Sequence, residues 1–261
     1  MNKINLLCSK PLIYMIQKEN SAQQSNGESA NNSKKIYELS YAYYQPKLSF
    51  KGSGYVLVMP SQVELAESKA SEIKKLEKYL ALIKNPKLNE LCNKVFDAAP
   101  IETFVLPSST TGKNHTGDEI GKSGFMKHLQ KVSEMSMHAT SRYGLEDQNM
   151  KDIALTACLL HDLPYRFQKK EDGSYITNKN HAIDNSVFIE KLMKEMNFDE
   201  ETQNLVCAGV GFHMGRWDNL REQNTEWMSK YEKYKEHPIV KCVQESDYYA
   251  SRKNVSVDID D

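Results

Sequence analysis

The chain has 261 residues, with 34 Lys and Arg against 35 Asp and Glu and a formal net charge of −1. That balance excludes the basic footprint needed for tight, sequence-independent binding to long duplex DNA, and leaves small nucleotides and short strands open. No apolar run approaches the ~20 residues of a membrane span.

The start, Met1 to Cys8, holds too short an apolar stretch for a secretory signal before Lys10 and Pro11 interrupt it. Asn20 to Lys35 is rich in Ser, Asn, Gln and Gly, which predicts a flexible linker and sets residues 1–35 apart as a flexible N-terminal segment. Ile36 to Met59 is rich in Tyr and Val and predicts two or three short strands, with Gly52-Ser53-Gly54 as a turn. Its tyrosines read as packing, with an aromatic platform for bases as the alternative. Ser61 to Ala98 predicts a helical pair: Ser61 caps it, Val63, Ala66, Ile73, Leu76, Leu80 and Ile83 keep the rhythm, and Asn85-Pro86 breaks it. Residues 36–106 are thus expected to form a small appendage, and Pro107 to Gly117 a polar loop leading into a larger helical domain over 107–261.

In that domain, ligand-type side chains recur on apolar helix faces. His128 shares a stripe with Val132, Met135 and Ala139. His161-Asp162 ends the apolar run that starts at Ala154, and His181 is followed at helical steps by Asn185, Phe188 and Leu192. His213 lies in line with Val206 and Val210, and Asp247 with Val240 and Val243 in a helix that Pro238 starts. A lone histidine on such a face is more often a core residue holding a hydrogen bond. Several converging in one domain would each need a separate buried partner, and a divalent cation serves them together. His138 falls off its stripe and reads as solvated, and His237 reads as part of a helix start.

The order His128, His161-Asp162, His181, His213, Asp247 resembles the H…HD…H…H…D pattern of HD-domain metal-dependent phosphohydrolases, over roughly residues 113 to 255. Gly121-Lys122-Ser123-Gly124 is similar to the Gly-rich lead into the first family histidine. His213 to Trp217 and Asp247 to Lys253 resemble the late part of nuclease-like and nucleotide-acting members. The resemblance implies a mostly α fold, an HD-type helical bundle carrying a small N-terminal α/β appendage. One departure concerns the His-Asp-x-Gly-Lys motif that the family often carries: the Lys position holds Tyr165, with Arg166 one residue later as the alternative source of positive charge.

The donor types suit Mn, Fe, Ni, Co or Zn, with Mg possible, and a His/Asp set without Cys argues against a structural zinc centre. With Asp162 bridging, His128, His161 and Asp247 would hold one ion and His181 with His213 a second; a single ion on His128, His161, Asp162 and Asp247 is the alternative. Two ions suit phosphoester hydrolysis by metal-activated water. Asp162 and His161 are thereby catalytic as well as ligands, and His115 is a further catalytic candidate, with an ordinary loop histidine as its alternative. Lys122, Ser123, Lys127, Arg166 and Arg216 are candidates for substrate phosphate, against a solvated surface. Gly121-Lys122-Ser123 is no P-loop, because Thr116 stands where its first glycine is required.

The expected substrate is a phosphodiester in a nucleotide, cyclic nucleotide or short single strand. A nucleotide phosphomonoesterase or triphosphohydrolase is the runner-up, and a non-catalytic nucleotide-sensing module comes third. Cys8, Cys92, Cys158, Cys207 and Cys242 are odd in number and lack C-x-x-C spacing, which points to a reducing cytoplasm. Met214 to His237, with Trp217 and Trp227, is expected to pack over or beside the site as a lid, with a surface loop and short helix as the alternative.

Overall fold

The computed structural model describes residues 61–109, 115, 117–218, 223–253 and 255–259, together with the backbone of two short strands, β1 (Met15–Gln17) and β2 (Tyr55–Leu57). These strands pair antiparallel, Ile16 opposite Val56. The expected strand region therefore supplies β2, but its partner comes from within the segment read as flexible. The Asn20 to Lys35 linker, the 52–54 turn and Cys8 lie outside the described residues.

The rest is mostly α-helical. Helix α1 (Gln62–Leu80) starts at Ser61 through a reciprocal capping box with Glu64, and α2 (Pro86–Ala98) starts at Asn85 with Pro86 in its first turn. Then follow α3 (Gly124–Arg142), α4 (Gln148–Leu160), a hairpin of β3 (Phe167–Lys169) and β4 (Tyr175–Thr177), α5 (His181–Glu195) and α6 (Glu200–Phe212). Two further helices, α7 (Thr225–Tyr231) and α8 (Pro238–Ala250), complete the order. The sequence reading missed the hairpin, although Asp172-Gly173 at its turn is a recognisable signal and Gly173 takes φ +80°.

Helices α4 and α6 form the interior. Asp152 to Leu160 and Thr202 to Phe212 are buried without interruption, as expected of helices apolar all round. Helix α3 packs against α4 and α8, and α6 against α4, α5 and α8. Leu76, Tyr79, Leu88, Leu91 and Phe96 of α1 and α2 join the same hydrophobic core as α3 to α8, so packing draws no boundary at residue 106.

The lid expectation needs correction. Trp227 is buried against Phe212 and Tyr231 and donates to Ser186 Oγ at 2.9 Å, so α7 is pinned into the core by its tryptophan. Gly211 makes room for it: a Cβ there would lie 2.0 Å from Trp227 Cζ2. Only Trp217 remains on the surface, with Arg216 stacked 4.6 Å from its ring centre.

Candidate metal centre

The ligand-type residues sit at helix ends and on buried helix faces, which fixes where they point. His161 and His213 follow the last residues of α4 and α6, His181 opens α5, His128 lies one turn into α3, and Asp247 lies in the last turn of α8. All four histidines and Asp162 are buried, whereas the Asp247 side chain is 24% exposed and marks the open side of the cluster.

Three of the histidines are oriented the same way. His161 Nδ1 lies 2.7 Å from Cys158 O, His181 Nδ1 2.6 Å from Asn178 O, and His213 Nδ1 2.7 Å from Val210 O. A carbonyl only accepts, so each Nδ1 carries the proton and donates. In the neutral ring, Nε2 is then a bare lone pair, and all three are directed at the same centre. Asn185 braces the turn between them, donating to His161 O at 3.2 Å and accepting from Tyr165 N at 2.8 Å.

Asp162 turns one oxygen to each half of the cluster. Its Oδ2 is 3.4 Å from His161 Nε2, while Oδ1 is 2.9 Å from His181 Nε2 and 3.3 Å from His213 Nε2. On the other side, Asp247 Oδ1 is 3.1 Å from His128 Nε2 and 3.8 Å from His161 Nε2. The candidate ligand atoms of His128, His161 and Asp247 all lie within 4.8 Å of one another, as do those of His161, Asp162 and His213. His181 Nε2 joins the second group at 3.3 Å from His213 Nε2.

These atoms suit a cation. His161 Nε2 is buried with no hydrogen-bond partner among the described residues, although two carboxylates approach it, because acceptors are facing an acceptor. An unsatisfied buried polar group costs about 1–3 kcal/mol, and a divalent ion satisfies nitrogen and carboxylate together.

The charges follow the same geometry. Burial alone would raise the Asp162 carboxyl, but Arg166, His161 and His181 hold it well below the usual carboxylate range. Burial likewise opposes ionisation of Asp247, and the hydrogen bond from His128 with the nearby histidines brings it down. Burial disfavours charge on His128, yet Asp247 and Glu119 outweigh it and lift its pKa to about 10. His213 is raised despite burial by its contact with Asp162, whereas burial and then Arg166 lower His181. Protons and Arg166 thus balance the carboxylates wherever no metal does.

At the departure from the family motif, Arg166 lies beside the cluster. Its Nη1 lies 3.1 Å from Asp162 Oδ1 and 2.8 Å from His181 Nε2, which brings a guanidinium next to the cluster, while Tyr165 packs on Phe188 and stays partly exposed. The other substrate candidates lie differently. Lys122 is exposed and within electrostatic range of Glu64, Ser123 is buried at the start of α3 with φ +56°, Lys127 is half-buried, and Arg216 is exposed. His115 is buried, its ring centre 5.3 Å from that of His128.

The sequence reading missed Glu119 and Lys131. Glu119 is fully buried, with Oε2 2.6 Å from His115 Nδ1 and 3.4 Å from His128 Nδ1, and Oε1 3.0 Å from Lys131 Nζ. The available signal was Lys131 itself: three residues after His128 it shares the buried face, and a buried lysine needs a carboxylate.

Residues 125–252 match the family model of the HD domain. No curated protein and no solved structure matches the chain.

Proposed function

Residues 125–252 are an HD domain, the mark of a superfamily of metal-dependent hydrolases, and on that premise we propose that the chain hydrolyses a phosphodiester in a nucleotide, cyclic nucleotide or short single strand. The observation that carries the reading is the convergence of His128, His161, Asp162, His181, His213 and Asp247 on one centre, with histidine lone pairs directed inward by backbone carbonyls. His128, His161 and Asp247 would hold one divalent ion, and His181 with His213 the other, with Asp162 shared. Such ions, when bound, polarise phosphoryl oxygens and activate water.

The chain's own groups supply the rest. Arg166 brings a planar guanidinium beside the centre, suited to paired hydrogen bonds with phosphate oxygens. Asp162 Oδ1 and Ser108 O accept from that guanidinium at 3.1 and 3.3 Å and hold it in place. His115 is our candidate for proton transfer: Glu119 accepts from its Nδ1 at 2.6 Å, which leaves Nε2 as the atom where a proton is held or passed. Asp247 is the one member of the cluster whose side chain is partly exposed, so solvent reaches the centre beside it.

The test is hydrolysis of bis-p-nitrophenyl phosphate against p-nitrophenyl phosphate with added Mn. Faster diester cleavage is expected. Cleavage of the monoester alone would move the assignment to a phosphomonoesterase, and inactivity on both would remove the catalytic reading.

A further inference from the structure

Among the four histidines of the cluster, His128 stands apart. The other three each donate Nδ1 to the carbonyl three residues earlier, at or beside a helix end. His128 lies inside α3, where carbonyls are taken up by the helix's own ladder, so that device is closed to it. Its Nδ1 is buried, and no well-formed hydrogen bond reaches it among the described residues. What faces it instead is Glu119 Oε2, 3.4 Å away at the outer edge of hydrogen-bond range.

Glu119 is held there by packing on every side. Gly124, the first residue of α3, has its Cβ position 1.9 Å from Glu119 O, so only glycine lets the 117–119 turn lie against the helix. Ser108 N donates to the same carbonyl at 2.9 Å, and Lys131, one turn beyond His128, binds Glu119 Oε1 at 3.0 Å. Asp118 holds that lysine from its other side at 2.9 Å. A carboxylate kept ionised and aimed at the outer nitrogen of a metal-facing imidazole fixes its tautomer and raises its basicity as a ligand.

We infer that Glu119 is the positioning residue of the centre: it orients His128 and strengthens it as a ligand, so the half of the site formed by His128, His161 and Asp247 binds its ion more tightly than backbone-anchored histidines alone would allow. The Gly-rich lead into α3 then serves the metal through packing, by admitting Glu119. This inference rests on the two-ion reading above, and zinc uptake by the parent protein tests that reading separately.

The experiment is zinc binding to the full chain by competition with a chromogenic chelator, alongside nitrogen-15 NMR of the histidine side chains in the zinc-loaded protein. Glu119→Gln keeps shape and removes charge. It is expected to keep the parental stoichiometry, to weaken one of the two sites about 10- to 100-fold, and to move the His128 Nδ1–H resonance while leaving those of His161, His181 and His213 in place. Asp172→Asn, which removes a carboxylate from the exposed turn between β3 and β4, should bind zinc as the parent does. Should Glu119→Gln fail to fold, Glu119→Asp keeps the charge for Lys131 but shortens the reach to His128, and the same weakening is expected. Parental affinity in a folded Glu119 variant would overturn the role of Glu119, and a parent that takes up no zinc would overturn the metal reading with it.

Discussion

Replacing Asp162 by alanine separates the two roles the structure gives this carboxylate. A buried carboxylate without a partner is a liability in the metal-free protein, and its removal would be stabilising. The structure instead places Arg166 Nη1 3.1 Å from it, with the arginine side chain only 12% exposed. Removing one partner of a buried ion pair costs about 3–5 kcal/mol, because the other charge stays buried and uncompensated. At roughly 2–4 °C per kcal/mol for a chain of this size, Asp162→Ala should melt on the order of 10 °C below the parent in chelator. The stranded guanidinium would also repel cations, so metal content and hydrolysis should both be lost. A double-mutant cycle isolates the cause: Asp162→Ala/Arg166→Ala should melt above Asp162→Ala alone, with a coupling above about 1 kcal/mol. The assays are circular dichroism melts in chelator and elemental analysis after metal loading. Two results would refute the reasoning: a single variant that melts like the parent, or strictly additive losses in the double variant.

The remaining predictions use other parts of the molecule. In chelator, His128, with its pKa lifted to about 10, contributes stability that is complete below its ordinary value near 6.5 and is lost as pH rises through about 10. Glu119 and Asp247, held low, contribute above their ordinary values and lose that contribution as pH falls. The melting temperature of the chelated protein should therefore fall between about pH 6.5 and 10, and a melting temperature flat over that range would contradict the His128 environment. Because His128 must shed its proton to bind an ion, metal affinity should rise with pH and uptake should release protons, read by calorimetry in two buffers of different ionisation enthalpy; buffer-independent heats would count against it. Gly211→Ala places a Cβ 2.0 Å from Trp227 Cζ2, so it should cost about 1–3 kcal/mol and shift tryptophan fluorescence. A parental melt and spectrum would show that Trp227 is not wedged there.

Most of the buried His/Asp cluster was legible in the sequence because periodicity reports which helix face is buried, and a histidine on such a face has few ways to be satisfied. His128 with Val132, and His213 with Val206 and Val210, lie where that rule puts them. Their approach to one another was expected from the number of such faces and from the family resemblance; the distances depend on α3, α4, α6 and α8 packing together, which single-helix patterns do not encode. The lid failed for a related reason. Trp227 lies in a polar stretch, and its burial requires the gap at Gly211, sixteen residues earlier.

Glu119 shows where local reading stops. In a polar loop an acidic residue is ordinarily solvated, and nothing within its own neighbourhood says otherwise. Its burial follows from three separated facts acting together: a glycine at 124 that admits the turn, a lysine at 131 that shares the face of His128, and a histidine at 128 whose Nδ1 has no carbonyl to use. Each fact is ordinary alone. Together they bring one carboxylate within reach of both His115 and His128, so the least conspicuous acidic residue of the loop joins the proton-transfer candidate to the metal centre. Changing Gly124 or Lys131 should therefore disturb His115 and His128 together, through the Oε2 that both share.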